Sequence, residues 1–185
     1  MRRTSVETKA AILTAARERF GVAGFQAATI RAIAADAGVD PAMVMRYYGT
    51  KDKLFAAAAE FDLRLPDFSA VDRTKVGQAL VSHFLERWEG DEALVILLRS
   101  SATNAEAARR MREIFGTQLR PVVATVAPAG EADWRSGLVA TQMMGMALCR
   151  FVLQLPPVVA MSREEVVEWL GPTIQRYLGL PEGTR

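Results

Sequence analysis

The residues with the widest chemical range, His83 and Cys149, each occur once in this chain. A lone histidine and a lone cysteine are too few for a metal centre, and one cysteine cannot close a disulfide within the chain. The carboxylates are scattered rather than grouped at the spacing of a catalytic site, so we expect no enzyme activity, no metal and no cofactor. What remains is positive charge, and four basic residues cluster around one predicted helix pair: Arg31, Arg46, Lys51 and Lys53.

The positive charge is concentrated near the start of the chain. Residues 1–60 hold nine Arg or Lys against six Asp or Glu, whereas the remainder holds 14 against 15, for a net charge of +2. Positive charge confined to one region is what the neutralisation of DNA phosphates requires. Half of the 185 residues are hydrophobic, which is enough for a sizeable core. We find no run of 18 apolar residues and no signal-type leader, so we expect a cytoplasmic protein.

Residues 29–48 predict two short helices joined by a tight turn. The first carries one apolar stripe at helical spacing, formed by Ile30, Ile33, Ala34 and Ala37. Gly38 can end that helix because glycine enters the left-handed region freely. Asp40 is placed to cap the second helix, with Pro41 at its first position. Such a pair is either a helix-turn-helix, whose second helix enters the DNA major groove, or a helical hairpin of the core.

The outer face of the second helix decides between these alternatives. Val44 and Tyr48 lie four residues apart and point inward, which leaves a mixed set pointing outward: Pro41, Ala42, Met43, Met45, Arg46 and Tyr47. Apolar side chains beside an arginine and a tyrosine indicate a surface kept free for contact. The apolar groups can touch thymine methyls, and Arg46 can hydrogen-bond guanine or a phosphate. The flanking residues therefore favour the helix-turn-helix.

Helical patterns continue through the rest of the chain. Thr50 caps a fourth helix that we expect to run to about Leu65, where Pro66 ends it. Residues 134–155 predict a long helix that is apolar around most of its circumference. No alternation typical of strands persists anywhere. We therefore predict an all-α fold of about nine to ten helices.

A resemblance to a known protein family supports the predicted helix-turn-helix and extends the prediction to the whole chain. Residues 5–60 strongly resemble the N-terminal domain of TetR-type transcriptional regulators. The match covers AAILTAARERFGVAGFQAATIRAIAADAGVDPAMVMRYYGTKDKLF almost without a gap. The Thr-Ile-Arg opening, the Ala-Gly-Val turn and the aromatic–Gly–Thr–Lys ending carry it. Met45 stands where the family usually has tyrosine, so the operator sequence cannot be borrowed from relatives. The resemblance implies a three-helix DNA-binding domain at residues 5–65 and a helical ligand-binding and dimerisation domain at residues 66–185.

The resemblance also implies which residues contact double-stranded DNA. Arg31 is a base or phosphate contact in many relatives that share it, while hydroxyl, phenol and ammonium groups are typical phosphate anchors. The expected DNA-binding residues are Thr29, Arg31, Pro41, Ala42, Met43, Met45, Arg46, Tyr47 and Lys51. The alternative for each of them is a solvated face.

In the family, the last two long helices form a two-fold interface between subunits, which implies residues 134–155 and 163–178 here. Small residues on the first of these helices would permit close approach. The expected interface residues of a homodimer are Trp134, Gly137, Ala140, Thr141, Met144, Gly145, Leu148, Val152, Val166, Leu170 and Ile174. A simply buried central helix is the alternative.

Family members commonly hold a ligand cavity among the middle helices. The candidates here are Phe84, Trp88, Met111, Phe115, Gln118, Met143 and Met144. For each of them ordinary core packing is the alternative, and a pocket built from them would be apolar. We therefore expect a homodimeric repressor released from its operator by a small apolar effector. The rival hypothesis is a helix-turn-helix module regulated by protein contacts without such an effector.

Overall fold

The computed structural model describes residues 4–90 and 92–182, and these residues contain helices and loops but no strand. The prediction of an all-α fold is therefore confirmed. The helices, in chain order, are α1 Ser5–Ala27, α2 Ile30–Ala37, α3 Pro41–Tyr48, α4 Lys51–Ala58, α5 Val76–Gly90, α6 Glu92–Ser101, α7 Ala105–Ile114, α8 Arg120–Val126, α9 Ala132–Ala147, α10 Pro156–Val159 and α11 Arg163–Tyr177. Two π-helical turns, Phe115–Leu119 and Leu148–Val152, follow α7 and α9 directly.

The chain forms two compact units. Unit 1 comprises residues 1–61 and 92–111, and unit 2 comprises residues 62–91 and 112–185. The N-terminal helices thus end their unit at Phe61, and α6 with most of α7 joins them. The predicted boundary after residue 65 lies four residues beyond this division.

Unit 1 is organised around an aromatic cluster beneath α2 and α3. Phe20 and Phe55 meet edge to face with ring centroids 5.0 Å apart, and Phe25 meets Phe55 in the same way at 5.1 Å. Phe20 and Phe55 are fully buried together with Ile33 of α2. Such aromatic pairs contribute about 0.5–1.5 kcal/mol beyond the area they bury. They fix α1, α2 and α4 as the base on which α3 rests.

Unit 2 is centred on the crossing of α5 and α11. Gly77 and Gly171 allow the two backbones to touch, because a Cβ atom at Gly77 would lie 2.4 Å from the Gly171 carbonyl oxygen. The buried side chain of Gln175 closes this crossing. Its Oε1 accepts from the Gly77 amide at 2.7 Å, and its Nε2 donates to the Pro181 carbonyl at 2.8 Å. Helix α11 continues through Pro172, although a proline in this position usually interrupts a helix.

The fourth helix is shorter than the sequence indicates. We expected it to run to about Leu65, but α4 ends at Ala58 and residues 60–67 have no regular secondary structure. Arg64 adopts a left-handed conformation with φ of 48°. The backbone of residues 62 and 63 forms hydrogen bonds with distant side chains of unit 2 in place of helical ones, as described below.

Candidate DNA interface, cavity and apolar face

Local hydrogen bonds at the helix ends fix the turn between α2 and α3. The Thr29 hydroxyl accepts from the Ala32 amide at 3.1 Å, and Asp40 Oδ1 accepts from the Ala42 amide at 2.7 Å. Gly38 has φ of 65° and caps the end of α2, as its position predicted. Val44 is fully buried and anchors α3 to the unit. The predicted helix-turn-helix geometry is therefore present.

The outer surface of α3 is open to solvent within the subunit. Ala42, Met45 and Arg46 are exposed, and Pro41 and Met43 are half-buried. The guanidinium of Arg46 lies over the Tyr47 ring, 5.4 Å from its centroid. The exposed set combines apolar contacts with a fixed cation, which suits base edges and phosphates.

Two more predicted contacts, Thr29 and Arg31, are exposed at the start of α2. Lys51 is tied more closely to its own subunit than we expected. Its ammonium donates to the Gln26 carbonyl at 3.2 Å and lies 4.5 Å from the centre of the Phe25 ring. An ammonium has three donors, so this arrangement leaves it capable of a phosphate contact.

The sequence did not identify the residues that hold the far end of α3 against α1. The Tyr47 hydroxyl hydrogen-bonds the Ser5 hydroxyl at 3.1 Å, and the Tyr48 hydroxyl donates to the Lys9 carbonyl at 3.1 Å. Burial raises the pKa of Tyr48 above its ordinary value, which already keeps the phenol a donor at neutral pH. These contacts link residues about 40 positions apart, and no short-range pattern could have signalled them.

An ion pair joins α1 and α2 beside this surface. Arg19 donates to both carboxylate oxygens of Asp36. This hydrogen bonding holds the pKa of Asp36 below its usual value and raises the pKa of Arg19. Both side chains are exposed, so the pair adds little to stability.

Unit 2 contains a cavity of about 20 Å³ whose inner surface is wholly apolar. Three predicted residues, Phe84, Phe115 and Met143, line it. The lining further includes Leu63, Leu65, Leu80, His83, Arg87, Leu119 and Val139. Of the remaining candidates, Trp88, Gln118 and Met144 belong to unit 2 but do not line the cavity, and Met111 belongs to unit 1.

Trp88 packs in an aromatic stack instead. Its indole is nearly parallel to the Phe151 ring at 5.9 Å and lies 5.3 Å from the Phe84 ring. Only 2% of Trp88 is exposed. Trp88 is therefore a core residue of unit 2, which was the alternative to a place in the ligand pocket.

The helix α9 and the turn after it carry an exposed stripe that we call the apolar face: Trp134, Gly137, Leu138, Thr141, Gly145 and Leu148. The spacing of three, four and seven residues places these positions on one side of a helix. Trp134 is 52% exposed, and a Cβ atom added at Gly137 or Gly145 would meet nothing within 4 Å. Ala140, Met144 and Val152 are half-buried beside it.

The predicted contribution of α11 falls on the wrong side of that helix. Val166, Leu170 and Ile174 are buried within unit 2, so they belong to the core of the subunit rather than to its surface. Trp169, which we did not single out, is instead 70% exposed. An apolar stripe reveals that a helix is buried on one side but not what covers that side.

The part of the chain that the structure describes contains neither a metal-binding cluster nor a membrane-spanning helix. Residues 4–90 and 92–182 contain no group of histidine, cysteine and carboxylate side chains that could hold a metal ion. Within the same residues, no helix is both long enough and apolar enough to cross a bilayer.

Comparison with known proteins agrees with this architecture. Residues 12–58 match the model of bacterial regulatory proteins of the tetR family, and residues 74–178 match that of the tetracyclin repressor-like C-terminal domain. No curated protein sequence matches the chain.

Solved structures share the fold over nearly the whole chain. A TetR-family regulator from Streptomyces coelicolor A3 is 32% identical over 96% of this chain and 98% of its own, with a TM-score of 0.65. NalD, the secondary repressor of the MexAB-OprM multidrug efflux pump in Pseudomonas aeruginosa, is 21% identical over 96% and 98%, with a TM-score of 0.68. A transcriptional regulator from Rhodococcus sp. Rha1 is 22% identical over 95% of both chains, with a TM-score of 0.64. This chain belongs to the TetR family of transcriptional regulators, with a helix-turn-helix DNA-binding domain at its N-terminus.

Proposed function

We propose that this protein is a homodimeric repressor that binds a DNA operator through α3 and is released by a small apolar effector. The single observation that carries the proposal is the open outer surface of α3, where Ala42, Met45 and Arg46 are exposed on a helix anchored from below by Val44. The similar fold of NalD, which is a repressor by its name, supports repression as the mode of action.

The proposed contacts divide into base readers and phosphate anchors. Arg46 and Arg31 end in guanidinium groups that can bond guanine bidentately, while Met43, Met45 and Ala42 suit thymine methyls. Thr29, Tyr47 and Lys51 present hydroxyl, phenol and ammonium groups suited to phosphates. Pro41 starts α3 and completes the surface.

Selection of bound DNA from a random library tests this proposal, followed by affinity measurements on the selected operator and on unrelated DNA. Lys51→Ala should weaken both complexes similarly and lower the salt dependence by about one phosphate contact. Arg31→Ala and Arg46→Ala should each cost about 1–3 kcal/mol on the operator and relax the preference at particular bases.

Arg112→Ala is the matched control, because Arg112 is an exposed arginine at the carboxyl end of α7 and lies in unit 2. Its loss should leave the operator affinity unchanged. The absence of any selected sequence would refute the function. Equal losses for all three interface variants on operator and random DNA would refute the division of roles.

The proposed homodimer would bury the apolar face. One helix-turn-helix covers a single half-site, and two-fold pairs of them bind half-sites a helical turn apart. Glycines at 137 and 145 permit close approach of a second helix, and the exposed Trp134 and Trp169 offer large apolar area. Leu148→Asp should place an unpaired charge in this interface and yield monomers in sedimentation experiments. Val22→Asp, at an 88% exposed valine of unit 1, should leave the dimer intact.

The effector proposal depends on the cavity of unit 2. Its wholly apolar inner surface favours an uncharged apolar compound over a charged one, because no polar atom faces inward to replace lost hydration. Release of the labelled operator by neutral compounds, but not by carboxylates of the same carbon skeleton, is the expected result.

A second candidate function is favoured by the size of the same cavity. At about 20 Å³ it accommodates roughly one water-sized group, whereas pockets for drug-sized ligands measure about 300–1,000 Å³. A regulator controlled by protein contacts needs no larger space. If no compound in a chemically broad neutral library releases the operator, this second function is the better description.

A further inference from the structure

The structure suggests how the cavity would enlarge, and this inference rests on the proposed effector-controlled function. Eight of its ten lining residues lie on α5, on the π-helical turn at Phe115–Leu119 or on α9. The other two, Leu63 and Leu65, belong to residues 62–65, which we call the strap and which have no regular secondary structure. Helical walls keep their hydrogen bonds internal, so the strap is the wall that can move at least cost.

Three side chains hold the strap by its backbone. Gln118 Oε1 accepts from the Leu63 amide at 2.7 Å, and His83 Nε2 donates to the Leu63 carbonyl at 2.8 Å. Arg87 donates to the Asp62 carbonyl at 2.8 Å. Together they satisfy three of the backbone groups that the early end of α4 leaves without helical partners. The polar ends of His83 and Arg87 are thus bonded to the strap, which accounts for the apolar surface inside the cavity.

The strap also contains one strained backbone position. Arg64 lies at φ of 48°, in the left-handed region that costs a residue with a Cβ atom about 1 kcal/mol or more. Within the strap, Asp62 accepts from the Arg64 amide at 2.9 Å, so the turn is held locally as well. The hydrogen bonds from Gln118, His83 and Arg87 hold the strap in this strained conformation.

The strap continues directly into unit 1. Phe61 ends the first stretch of that unit and is covalently joined to Asp62, the first residue of the strap. A change in the strap therefore reaches the chain that leads out of the DNA-binding helices without any other intermediary.

We infer that effector binding and release of the strap are one event. An apolar group larger than the cavity displaces Leu63 and Leu65, and the three hydrogen bonds break. Only the state in which the strap is still bound is competent for operator binding. Gln118, His83 and Arg87 are then positioning residues that report occupancy of the cavity to unit 1.

Replacement of Gln118 tests the inference without touching the cavity lining. Gln118→Leu removes the acceptor of a buried amide, which should favour the released strap by roughly 5- to 150-fold. Hydrogen exchange of the Leu63 amide in the full-length protein should accelerate accordingly, and operator affinity should fall by about tenfold without effector. Gln118→Glu keeps an acceptor oxygen and should restore both values towards those of the parent protein.

A second variant acts from the opposite wall. Val139→Phe adds a ring to α9 that exceeds the cavity and should displace the strap as an effector would, with the same two changes. Normal Leu63 exchange and normal operator affinity in both Gln118→Leu and Val139→Phe would overturn the inference. So would faster exchange with unchanged affinity. Failure of the parent protein to select any operator would instead refute the proposed function.

Discussion

Replacing Gly77 with alanine should force apart the two helices at the centre of unit 2. The new Cβ atom would lie 2.4 Å from the Gly171 carbonyl oxygen and 2.6 Å from the Gln175 amide nitrogen. Both neighbours are backbone atoms in helix α11, so no side-chain rotation can relieve the clash. The helices must separate until the contact approaches its ordinary value of about 3.4 Å.

Three contributions set the size of the effect. Overpacking of a close-packed core costs about 1–3 kcal/mol. Separation also stretches the 2.7 Å bond between the Gly77 amide and Gln175 Oε1, and an unsatisfied buried amide costs about 1–3 kcal/mol. Alanine recovers about 1 kcal/mol through its better helix propensity. The net destabilisation is about 1–5 kcal/mol, which lowers the Tm of a chain of this length by roughly 2–20 °C.

Thermal unfolding followed by circular dichroism measures this change, at one fixed protein concentration because dimerisation would couple to unfolding. Gly90→Ala is the matched control, since Gly90 ends the same helix and its added Cβ atom would meet nothing within 4 Å. The control should change stability by less than about 1 kcal/mol. A Gly77→Ala protein that melts with the parent protein would refute the packing of this crossing, and so would an equal loss in Gly90→Ala.

Three further predictions concern the other parts of the molecule. Asp40→Ala removes the cap of α3 and should cost about 1 kcal/mol, measured as a lower urea midpoint. Hydrogen bonding to Arg19 lowers the pKa of Asp36, so their pair stabilises the folded chain above the ordinary carboxyl pKa of about 4 and loses this effect as the pH falls. The small difference in urea midpoint between Arg19→Gln and the parent protein near pH 7 should therefore disappear in acid. Gly137→Ala faces open space within the subunit and should leave the subunit folded, yet weaken dimerisation in sedimentation equilibrium by obstructing a partner helix.

The helix-turn-helix could be predicted from the sequence because short-range chemistry determines it. The caps at Thr29 and Asp40 and the left-handed Gly38 each act within four residues of their own position. The residues next to each position therefore determine the helix-turn-helix geometry, and the sequence pattern is enough to predict it. The contacts of Tyr47 and Tyr48 with α1 cross about 40 residues, and they escaped prediction for that reason.

The early end of α4 shows where local propensity is overridden. Residues 56–65, AAAAEFDLRL, contain good helix formers and no proline or glycine, and they predict a longer helix. The structure instead bonds the backbone of residues 62 and 63 to His83, Arg87 and Gln118, which lie 20 to 55 positions away. Several long-range hydrogen bonds outweigh a propensity difference of a few tenths of a kcal/mol per residue.

The two stripes of the C-terminal helices show a different limit. Val166, Leu170 and Ile174 repeat every four residues and were assigned to a partner subunit, yet they face the core of their own unit. Periodicity locates an apolar side but cannot name its neighbour. The exposed Trp169 between them is the better indicator of a contact surface, because a large aromatic side chain on a polar side of a helix is not stabilised by packing within the subunit.

Helix α9 gives the cavity and the apolar face a common structural element. Val139 and Met143 line the cavity from one side of this helix, while Leu138, Thr141 and Gly145 lie exposed on another. A ligand that pushes on Val139 would also press on the helix that carries the surface proposed to meet the partner. Coupling between two binding events is reciprocal, so dimerisation would change effector affinity by the same factor as the effector changes dimerisation. Effector affinity should then depend on protein concentration in the parent protein but not in monomeric Leu148→Asp, and an identical affinity in both would show that α9 transmits nothing between its two sides.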